Sequence, residues 1–256
     1  MPGIDGNRTP ASFGNGQALP RLGYVNPDFR NPSGTSLTRD ERLRLLGDAH
    51  RLGMPLIEDG AYSELRYDGP GEPALIALDA EARGGIENSL VLYCGTFSKT
   101  VVSGLRIGWV AGPRAVIQKL FLIKQAADLH SSALNQMVLH DVVSNGFATR
   151  LEPIRALYKG RRDALLAALE RHMPAGVSWT KPRGGMFVWV DLPAHLDGAE
   201  LLARSIAEIR VAFVPGHAFF SDGTGRNTLR LNFSLSDSDQ IETGIARLGA
   251  LLKTLV

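Results

Sequence analysis

The first hundred residues contain short apolar runs separated by a stretch with helical periodicity. The runs lie at residues 22–25, 54–57 and 90–94, and each has the length and composition of a buried strand. Between the first two runs, apolar residues recur every three or four positions, which is typical of one face of a helix. The pattern therefore predicts strand–helix–strand units, which build a parallel sheet.

The helix between the first two strands has clear start and stop signals. Thr38 and Glu41 have the spacing of a capping box, and Gly53 is a typical C-terminal stop. A helix is therefore expected between Thr38 and Gly53. The residues expected to pack against the sheet share one helical face, namely Leu43, Leu46, Ala49 and Leu52.

Beyond Pro113 the periodicity becomes helical, and the end of the chain alternates strands with helices. One helix is expected at residues 152–171, with Arg161 and Arg162 on its solvated side. The other expected elements are helices at 115–129, 134–143, 199–209 and 238–252 and strands at 177–179, 186–190 and 228–233. The sequence thus predicts an α/β domain at residues 1–145, including the connecting helices, and a smaller α+β domain at residues 146–256.

Composition excludes several classes of protein. The 256 residues are 44% hydrophobic and 21% charged, as in a globular protein, and no apolar stretch is long enough to span a bilayer. Residues 1–20 show no periodicity and lack the features of a signal peptide, so a loose leader is expected there. A net charge of +2 gives no support for a nucleic-acid surface. The single cysteine, Cys94, fits a reducing compartment, and a cytoplasmic location is expected.

Polar residues follow each of the three predicted strands. Asn31 lies in the loop after the first strand, Asp59 ends the second, and Lys99 lies in the loop after the third. Ligands of parallel sheets gather beyond the carboxyl ends of the strands, so these side chains are expected at one edge. Each residue also has an ordinary explanation, since Asn31 suits a turn, Asp59 suits a helix cap and Lys99 suits an exposed loop. Their convergence on one edge favours a binding site.

The loop around Lys99 has the composition of a phosphate site beside a reactive amine. The hydroxyls of Thr96 and Ser98 and the guanidinium of Arg106 are groups that bind phosphate. An amine held close to them can form an imine with a carbonyl. A phosphate and an aldehyde on one small molecule describe pyridoxal phosphate (PLP). The alternative is a solvated surface loop that contains a basic residue.

With PLP as the ligand, each polar residue has a distinct task. Lys99 would hold the cofactor and then move the α proton of a substrate amine as general base and acid. Asp59 would pair with the pyridine nitrogen and keep the ring positively charged. Asn31 and Tyr62 could both donate to the phenolic oxygen, although Tyr62 could equally pack against the sheet.

Arg230 is expected in a strand that is apolar at alternate positions. The period-two pattern of residues 228–233 places Arg230 and Asn232 on one face, opposite Leu229, Leu231 and Phe233. An arginine in such a strand requires an anionic partner, and the α-carboxylate of an amino acid suits its planar guanidinium. The alternative is a surface arginine on an edge strand.

Four segments resemble the successive cofactor motifs of one enzyme family. They are Asn31-Pro32-Ser33-Gly34, Glu58-Asp59-Gly60-Ala61-Tyr62, Gly95-Thr96-Phe97-Ser98-Lys99 and Gly104-Leu105-Arg106-Ile107-Gly108-Trp109. In order and spacing they are similar to the motifs of class I/II aminotransferases of fold type I. The resemblance is greatest to the subgroup that includes 2-aminoadipate and kynurenine-type aminotransferases. The aminotransferase-like domain of GntR-type transcription regulators is similar as well.

The resemblance implies a fold and a role for each site residue. The fold would be an α/β, PLP-transferase-like three-layer sheet domain, here incomplete, with a smaller α+β C-terminal domain, in a homodimer. Lys99 would be the Schiff-base lysine and Asp59 the pyridine-nitrogen partner. Asn31 and Tyr62 would be the partners of the phenolic oxygen, and Thr96, Ser98 and Arg106 would bind the phosphate. Arg230, in the last strand, would bind the carboxylate of the substrate.

The chain departs from the family pattern near its start. Family members carry a glycine-rich phosphate loop and a ring-stacking aromatic residue upstream of the first strand, and neither is found in the 21 residues before Leu22. The chain therefore resembles the C-terminal portion of an aminotransferase, with four contiguous sheet strands and unpaired edges. Weak PLP binding, little activity and self-association are expected of residues 1–256 alone.

The function expected from these features is PLP-dependent transamination between an amino acid and a 2-oxo acid. One alternative is a non-catalytic remnant or a regulator-type domain that binds the ligand without turnover. Another is a PLP-dependent lyase, because the same lysine, aspartate and arginine would serve that reaction.

Overall fold

The computed structural model describes residues 20–256, which form two compact units. Residues 20–28 and 36–154 form the parallel-sheet unit, and residues 29–35 and 155–256 form the antiparallel-sheet unit. Apart from Pro20, the expected leader lies outside the described residues. The domain boundary at residue 145 remains a prediction.

The parallel-sheet unit contains four contiguous strands in the order β1-β2-β3-β4. The first three are parallel and confirm the strands expected from the apolar runs: β1 (Gly23–Val25), β2 (Leu56–Asp59) and β3 (Val91–Thr96). The fourth, β4 (Gly108–Ala111), is antiparallel to β3. The apolar runs predicted only three strands, whereas the family resemblance implied the four contiguous strands that are observed.

Five helices accompany the described sheet: α1 (Arg39–Leu52), α2 (Leu75–Arg83), α3 (Arg114–Asp128), α4 (Ala133–Ser144) and α5 (Phe147–His172), whose later turns belong to the antiparallel-sheet unit. The signals predicted for α1 are confirmed. Thr38 and Glu41 form the capping box, and Gly53 caps the C-terminus in the left-handed conformation, with a φ of 59°.

No helix in residues 20–256 is long and apolar enough to cross a membrane.

The core of the parallel-sheet unit lies where α1 and α2 cover one face of the sheet. It is formed by the buried residues Leu46, Ala49, Met54, Leu56, Leu75, Leu78 and Val91. Glu58 lies on the same face as Leu56, and its carboxylate accepts the backbone N–H groups of Leu75 and Ile76 at 2.8 and 2.9 Å. This carboxylate thereby caps the start of α2, where Ala74 has no capping side chain.

One expectation for α1 is wrong, because Leu43 is 45% exposed whereas the preceding residue, Arg42, is fully buried. The Arg42 guanidinium donates to Asp28 Oδ1 at 2.8 Å and to the Leu37 carbonyl at 3.1 Å. A buried arginine is stable when its charge is paired and its N–H groups are bonded in this way. Periodicity alone does not detect such a pair.

Asp79 connects α1, α2 and the start of β3. It accepts hydrogen bonds from Ser89 Oγ at 2.8 Å and the Leu90 N–H at 2.9 Å, and it lies 2.6 Å from His50 Nε2. Burial by itself would raise the pKa of Asp79, but these bonds together hold it below its ordinary value. The ionised carboxylate is therefore part of the folded structure.

We expect Asp79→Asn to lower the free energy of unfolding by about 1–3 kcal/mol at neutral pH, because bonds to a buried carboxylate are lost. Since the folded-state pKa lies below the unfolded one, this stability is complete above about pH 4 and disappears as the pH falls through the folded-state pKa. Urea unfolding at several pH values measures both effects. Asp48→Asn, which removes only a surface pair with Arg51, is the control and should change stability by less than about 1 kcal/mol. Equal losses in the two variants would contradict this role of Asp79.

The antiparallel-sheet unit contains four strands in the order β5-β6-β8-β7. They are β5 (Ser178–Trp179), β6 (Phe187–Asp191), β7 (Val214–Pro215) and β8 (Thr228–Asn232). Its further helices are α6 (Gly198–Arg204), continued by a π-helical turn (Ser205–Ile209), and α7 (Ser238–Lys253). The alternation expected around β8 is confirmed, with Leu229, Leu231 and Phe233 buried, Arg230 half-buried and Asn232 exposed.

The expectation that Arg162 is solvated is also wrong. Only 4% of Arg162 is exposed, and its Nη1 donates to the Pro182 carbonyl at 2.9 Å. Its Nε donates to Asp163 at 2.8 Å. The residue therefore connects α5 to the loop between β5 and β6, and its polar groups are bonded in the way that burial requires.

Candidate functional site

The carboxyl ends of the three parallel strands bring most of the predicted site residues to one edge of the sheet. Asp59 is the last residue of β2 and Thr96 the last of β3. Ser98 and Lys99 follow β3 in the next turn. Because β4 is antiparallel to β3 and Gly108 pairs with Thr96, the start of β4 lies at the same edge. Arg106, two residues before that start, is therefore brought to this edge too.

The Asp59 carboxylate is held by bonds from two sides. Its Oδ1 accepts the Ala61 N–H at 3.0 Å, and its Oδ2 accepts the hydroxyl of Tyr24. The backbone carbonyl of Asp59 also accepts a hydrogen bond from Nδ2 of Asn26, at 2.6 Å. Burial and the bond to Asp59 raise the pKa of the Tyr24 hydroxyl, which remains protonated and continues to donate.

Tyr24 and Asn26 were not predicted from the sequence. Tyr24 pairs with Ile57 in the register of β1 and β2, so it shares a face with Asp59, opposite the face covered by α1 and α2. The predicted strand at residues 22–25, combined with a register, could have revealed this neighbour. No sequence signal marks Asn26 beyond its place at the end of β1.

The hydroxyls of Thr96 and Ser98 lie next to each other. Thr96 Oγ1 donates to Ser98 Oγ at 3.0 Å, and the Ser98 N–H donates to Thr96 Oγ1 at 3.2 Å. These bonds curl the chain directly after β3 and place two hydroxyls within a short segment. The Ser98 N–H is already donated to Thr96, so the groups that suit a phosphate or another anion are the two hydroxyls, which can rotate toward it.

Lys99 and Arg106 supply the positive charge of this edge. Lys99 is half-buried, and within residues 20–256 its ammonium forms neither a hydrogen bond nor an ion pair. Arg106 is exposed and has the left-handed backbone conformation, with a φ of 56°; its Nη1 donates to the Ser103 carbonyl at 3.2 Å. A non-glycine residue with positive φ is uncommon and is often found at functional sites.

Two glycines allow aromatic rings to approach this edge closely. Tyr93 and Trp109 stack with their ring centroids 5.1 Å apart. A Cβ atom at Gly95 would lie 2.3 Å from the Trp109 ring, and one at Gly60 would lie 2.1 Å from the Tyr93 hydroxyl. Neither position admits a side chain without displacing a ring, so the glycines of the two motifs serve packing here.

Tyr62 lies in the turn that follows β2 and is 9% exposed. Its carbonyl accepts the Leu65 N–H at 2.9 Å, which closes that turn. Both of the alternatives stated for Tyr62, a donor to a ligand and a residue packed against the sheet, agree with this position, and its role stays a prediction.

Asn31 and Arg230 lie in the antiparallel-sheet unit and form a pair there. Arg230 Nη1 donates to Asn31 Oδ1 at 2.6 Å although the two residues are 199 positions apart in the sequence. The Arg230 guanidinium carbon also lies 4.3 Å from the centroid of the Phe187 ring and 5.0 Å from that of the Phe219 ring. The expectation that Asn31 joins Asp59 and Lys99 stays a prediction, because these residues belong to different units.

The edge of the parallel sheet thus offers an amine, a guanidinium, two hydroxyls and a carboxylate. An amine without a bonded partner in residues 20–256 can react with a carbonyl, whereas the hydroxyls and the guanidinium suit an anion. The described residues contain no group of three or more His, Cys, Asp or Glu side chains that could hold a metal ion.

This set of groups on an α/β fold is what an enzyme that holds a carbonyl cofactor through a lysine requires. A model of the family "Aminotransferase class I and II" matches residues 28–248. The chain therefore belongs to the class I and II aminotransferase family, and the resemblance of the four motifs is confirmed.

Individual relatives agree with the family assignment. A 2-aminoadipate transaminase of Thermus thermophilus is 42% identical over 237 residues, which are 93% of this chain and 58% of the relative. An uncharacterised HTH-type transcriptional regulator of Bacillus subtilis is 37% identical over 88% of this chain and 45% of its own length. This chain thus spans between roughly half and three fifths of the length of these relatives.

A solved structure confirms the expected fold class. It is an α-aminoadipate aminotransferase of Thermus thermophilus in complex with N-(5'-phosphopyridoxyl)-L-leucine. Its TM-score is 0.86 at 42% identity, and the match covers 92% of this chain and 59% of that one. The α/β fold with a mixed sheet is therefore the fold of this enzyme family.

Proposed function

We propose that the protein is a PLP-dependent aminotransferase that exchanges an amino group between an amino acid and a 2-oxo acid. The observation that carries the proposal is the set of side chains at the carboxyl edge of the parallel sheet: Asp59, Thr96, Ser98, Lys99 and Arg106. The phosphopyridoxyl-leucine complex of a relative 42% identical to this chain supports it.

The residues present fit PLP by the chemistry of their donors. Thr96, Ser98 and Arg106 would hold the phosphate, since two adjacent hydroxyls and a guanidinium are suitable partners for it. Lys99 would hold the cofactor covalently, because its amine has no bonded partner in residues 20–256. When bound, PLP supplies a carbonyl for amines and a ring that takes up the electron pair left by a departing proton.

Among the groups of the protein itself, Lys99 would transfer the proton and Asp59 would stabilise the charge. Lys99 Nζ would remove the α proton of the substrate and return a proton, as general base and acid. The Asp59 carboxylate would oppose a positive pyridinium nitrogen. Its bonds from Tyr24 and Ala61 fix its orientation, so that little reorganisation is needed when charge develops.

Arg230, Asn31 and Tyr62 complete the proposed set. Arg230 would bind the α-carboxylate of the substrate through two parallel hydrogen bonds. Asn31 accepts from the same guanidinium at 2.6 Å and thereby helps to fix it. The amide of Asn31 and the hydroxyl of Tyr62 would donate to the phenolic oxygen of the cofactor.

A homodimer and a cytoplasmic location form part of the same proposal. The homodimer is supported by one face of α3, on which Val116, Leu120 and Ile123 recur at helical spacing and are 38%, 39% and 63% exposed. Contiguous exposed apolar side chains are typical of protein interfaces. The cytoplasmic location is supported by the single cysteine, Cys94, which has no internal partner for a disulfide.

A binding domain without turnover is the second candidate, favoured by the match to a transcriptional regulator. One assay separates the two functions. The protein is incubated with PLP, L-2-aminoadipate and 2-oxoglutarate, and the products are separated by chromatography. An aminotransferase yields 2-oxoadipate and glutamate in equal amounts. PLP binding without either product would favour the binding domain.

A further inference from the structure

The guanidinium of Arg230 is enclosed by aromatic side chains of its own unit. Phe187 lies on β6, in a position diagonal to Arg230, whose direct partner in the ladder is Trp189. Phe219 comes from the helical turn after β7 (Gly216–Phe219). The guanidinium carbon lies 4.3 Å from the centroid of the Phe187 ring and 5.0 Å from that of Phe219, within the range of cation–π contacts.

The turn that carries Phe219 is fixed by close packing. A Cβ atom at Gly216 would lie 1.8 Å from Thr228 Oγ1 and 2.8 Å from the Trp189 ring, so only glycine permits the approach. The Phe219 ring then meets Trp189 edge to face, with centroids 5.9 Å apart. Because both its backbone and its ring are held, Phe219 presents a fixed surface to Arg230.

This arrangement limits the freedom of a side chain that otherwise has many rotamers. The rings contact the guanidinium through their π faces, whereas its N–H groups donate in the guanidinium plane, one of them to Asn31 Oδ1. A ligand that meets a preorganised guanidinium loses less free energy to side-chain ordering when it binds.

We propose that Phe219 is a positioning residue that holds the Arg230 guanidinium in the orientation required for a substrate carboxylate. The inference rests on the proposed function, since it takes Arg230 as the carboxylate site. It predicts that the contribution of Phe219 is seen with ligands that carry an α-carboxylate and is missing with amines that lack one.

The neighbouring residue provides a matched control. Phe220 also contacts Trp189, with centroids 6.3 Å apart, but Arg230 lies over the rings of Phe187 and Phe219 and not over that of Phe220. Phe219→Leu and Phe220→Leu thus each remove one aromatic contact with Trp189, and only Phe219→Leu removes a contact with Arg230. Phe219→Tyr keeps the ring and should behave as the unchanged protein.

The test compares L-leucine with 3-methylbutylamine, which has the same carbon skeleton without the carboxylate. Dissociation constants are measured with the PLP-loaded protein by absorbance titration. Phe219→Leu is expected to weaken leucine binding about three- to tenfold and to leave 3-methylbutylamine unchanged. Phe220→Leu and Phe219→Tyr should leave both ligands unchanged. Equal weakening of leucine in both leucine variants, or none in Phe219→Leu, would overturn the inference.

A second readout needs neither cofactor nor turnover. The rings should shift the Nε–H signal of Arg230 in nitrogen–proton spectra, and Arg230→Lys identifies that signal by its loss. Phe219→Leu should move it, whereas Phe220→Leu should not, and an unmoved signal in Phe219→Leu would refute the contact. If Arg230→Lys does not weaken leucine binding, the carboxylate role in the proposed function fails. If only Arg230→Lys weakens it, the role of Phe219 alone is refuted.

Discussion

Replacing Lys99 with alanine is expected to lower kcat for amino-group transfer by about 10⁴-fold, the upper range for the loss of a general base. No other lysine follows the parallel strands of the described sheet at the edge where Asp59 and Thr96 end. The variant should remain folded, because the Lys99 ammonium makes no hydrogen bond or ion pair in residues 20–256 that would be lost.

Because little activity is expected of residues 1–256 alone, steady-state turnover with saturating PLP is measured in a chain extended to the length of the relatives, together with a thermal unfolding curve. Lys253→Ala, in the last turn of α7, is the control, since it removes an exposed lysine and should change neither quantity appreciably. Turnover of Lys99→Ala within tenfold of the unchanged protein would exclude Lys99 as the base.

Replacing Asp59 with asparagine is expected to lower kcat by about 10²- to 10³-fold, as found when one preorganised electrostatic group is removed from an active site. Asparagine keeps the shape: its oxygen can still accept from the Ala61 N–H, and its amide nitrogen can donate to the Tyr24 hydroxyl oxygen, so the main loss is the negative charge. The predicted defect therefore lies in proton removal from the substrate, not in cofactor attachment.

Exchange of the α proton of the amino acid with deuterated water measures that step directly. Asp59→Asn should slow exchange by about the same factor as turnover and should leave PLP attached to the protein. The exposed residue Glu64, five positions further on, supplies the control Glu64→Gln. If the α proton exchanged at the normal rate in Asp59→Asn, the negative charge of Asp59 would not contribute to proton removal.

Much of the parallel-sheet unit could be predicted because its signals are local. The capping box of Thr38 and Glu41 and the stop at Gly53 are read from residues a few positions apart, and the structure contains all three. The apolar runs did not reveal β4, which only the family resemblance implied, and its antiparallel pairing depends on β3. Arg42 was missed because its burial depends on Asp28, which lies outside the helix.

The candidate site was predictable where it follows from strand ends. Asp59, Thr96 and Lys99 come to one edge because the strands that carry them are parallel, a property which the apolar runs had indicated. Tyr24 could not be found without the register of β1 and β2. The bond between Asn31 and Arg230 joins residues 199 positions apart, and no local pattern predicts such a contact.

The central claim, that Lys99 holds PLP at this edge, is tested most directly by chemical labelling. The protein is loaded with PLP and treated with borohydride, which reduces the bond between cofactor and lysine, and the pyridoxyl-bearing peptide is identified by mass spectrometry. We expect the label on Lys99. Label on a surface lysine such as Lys124 or Lys159, whose ammonium groups pair with Asp128 and Asp163, would contradict the account.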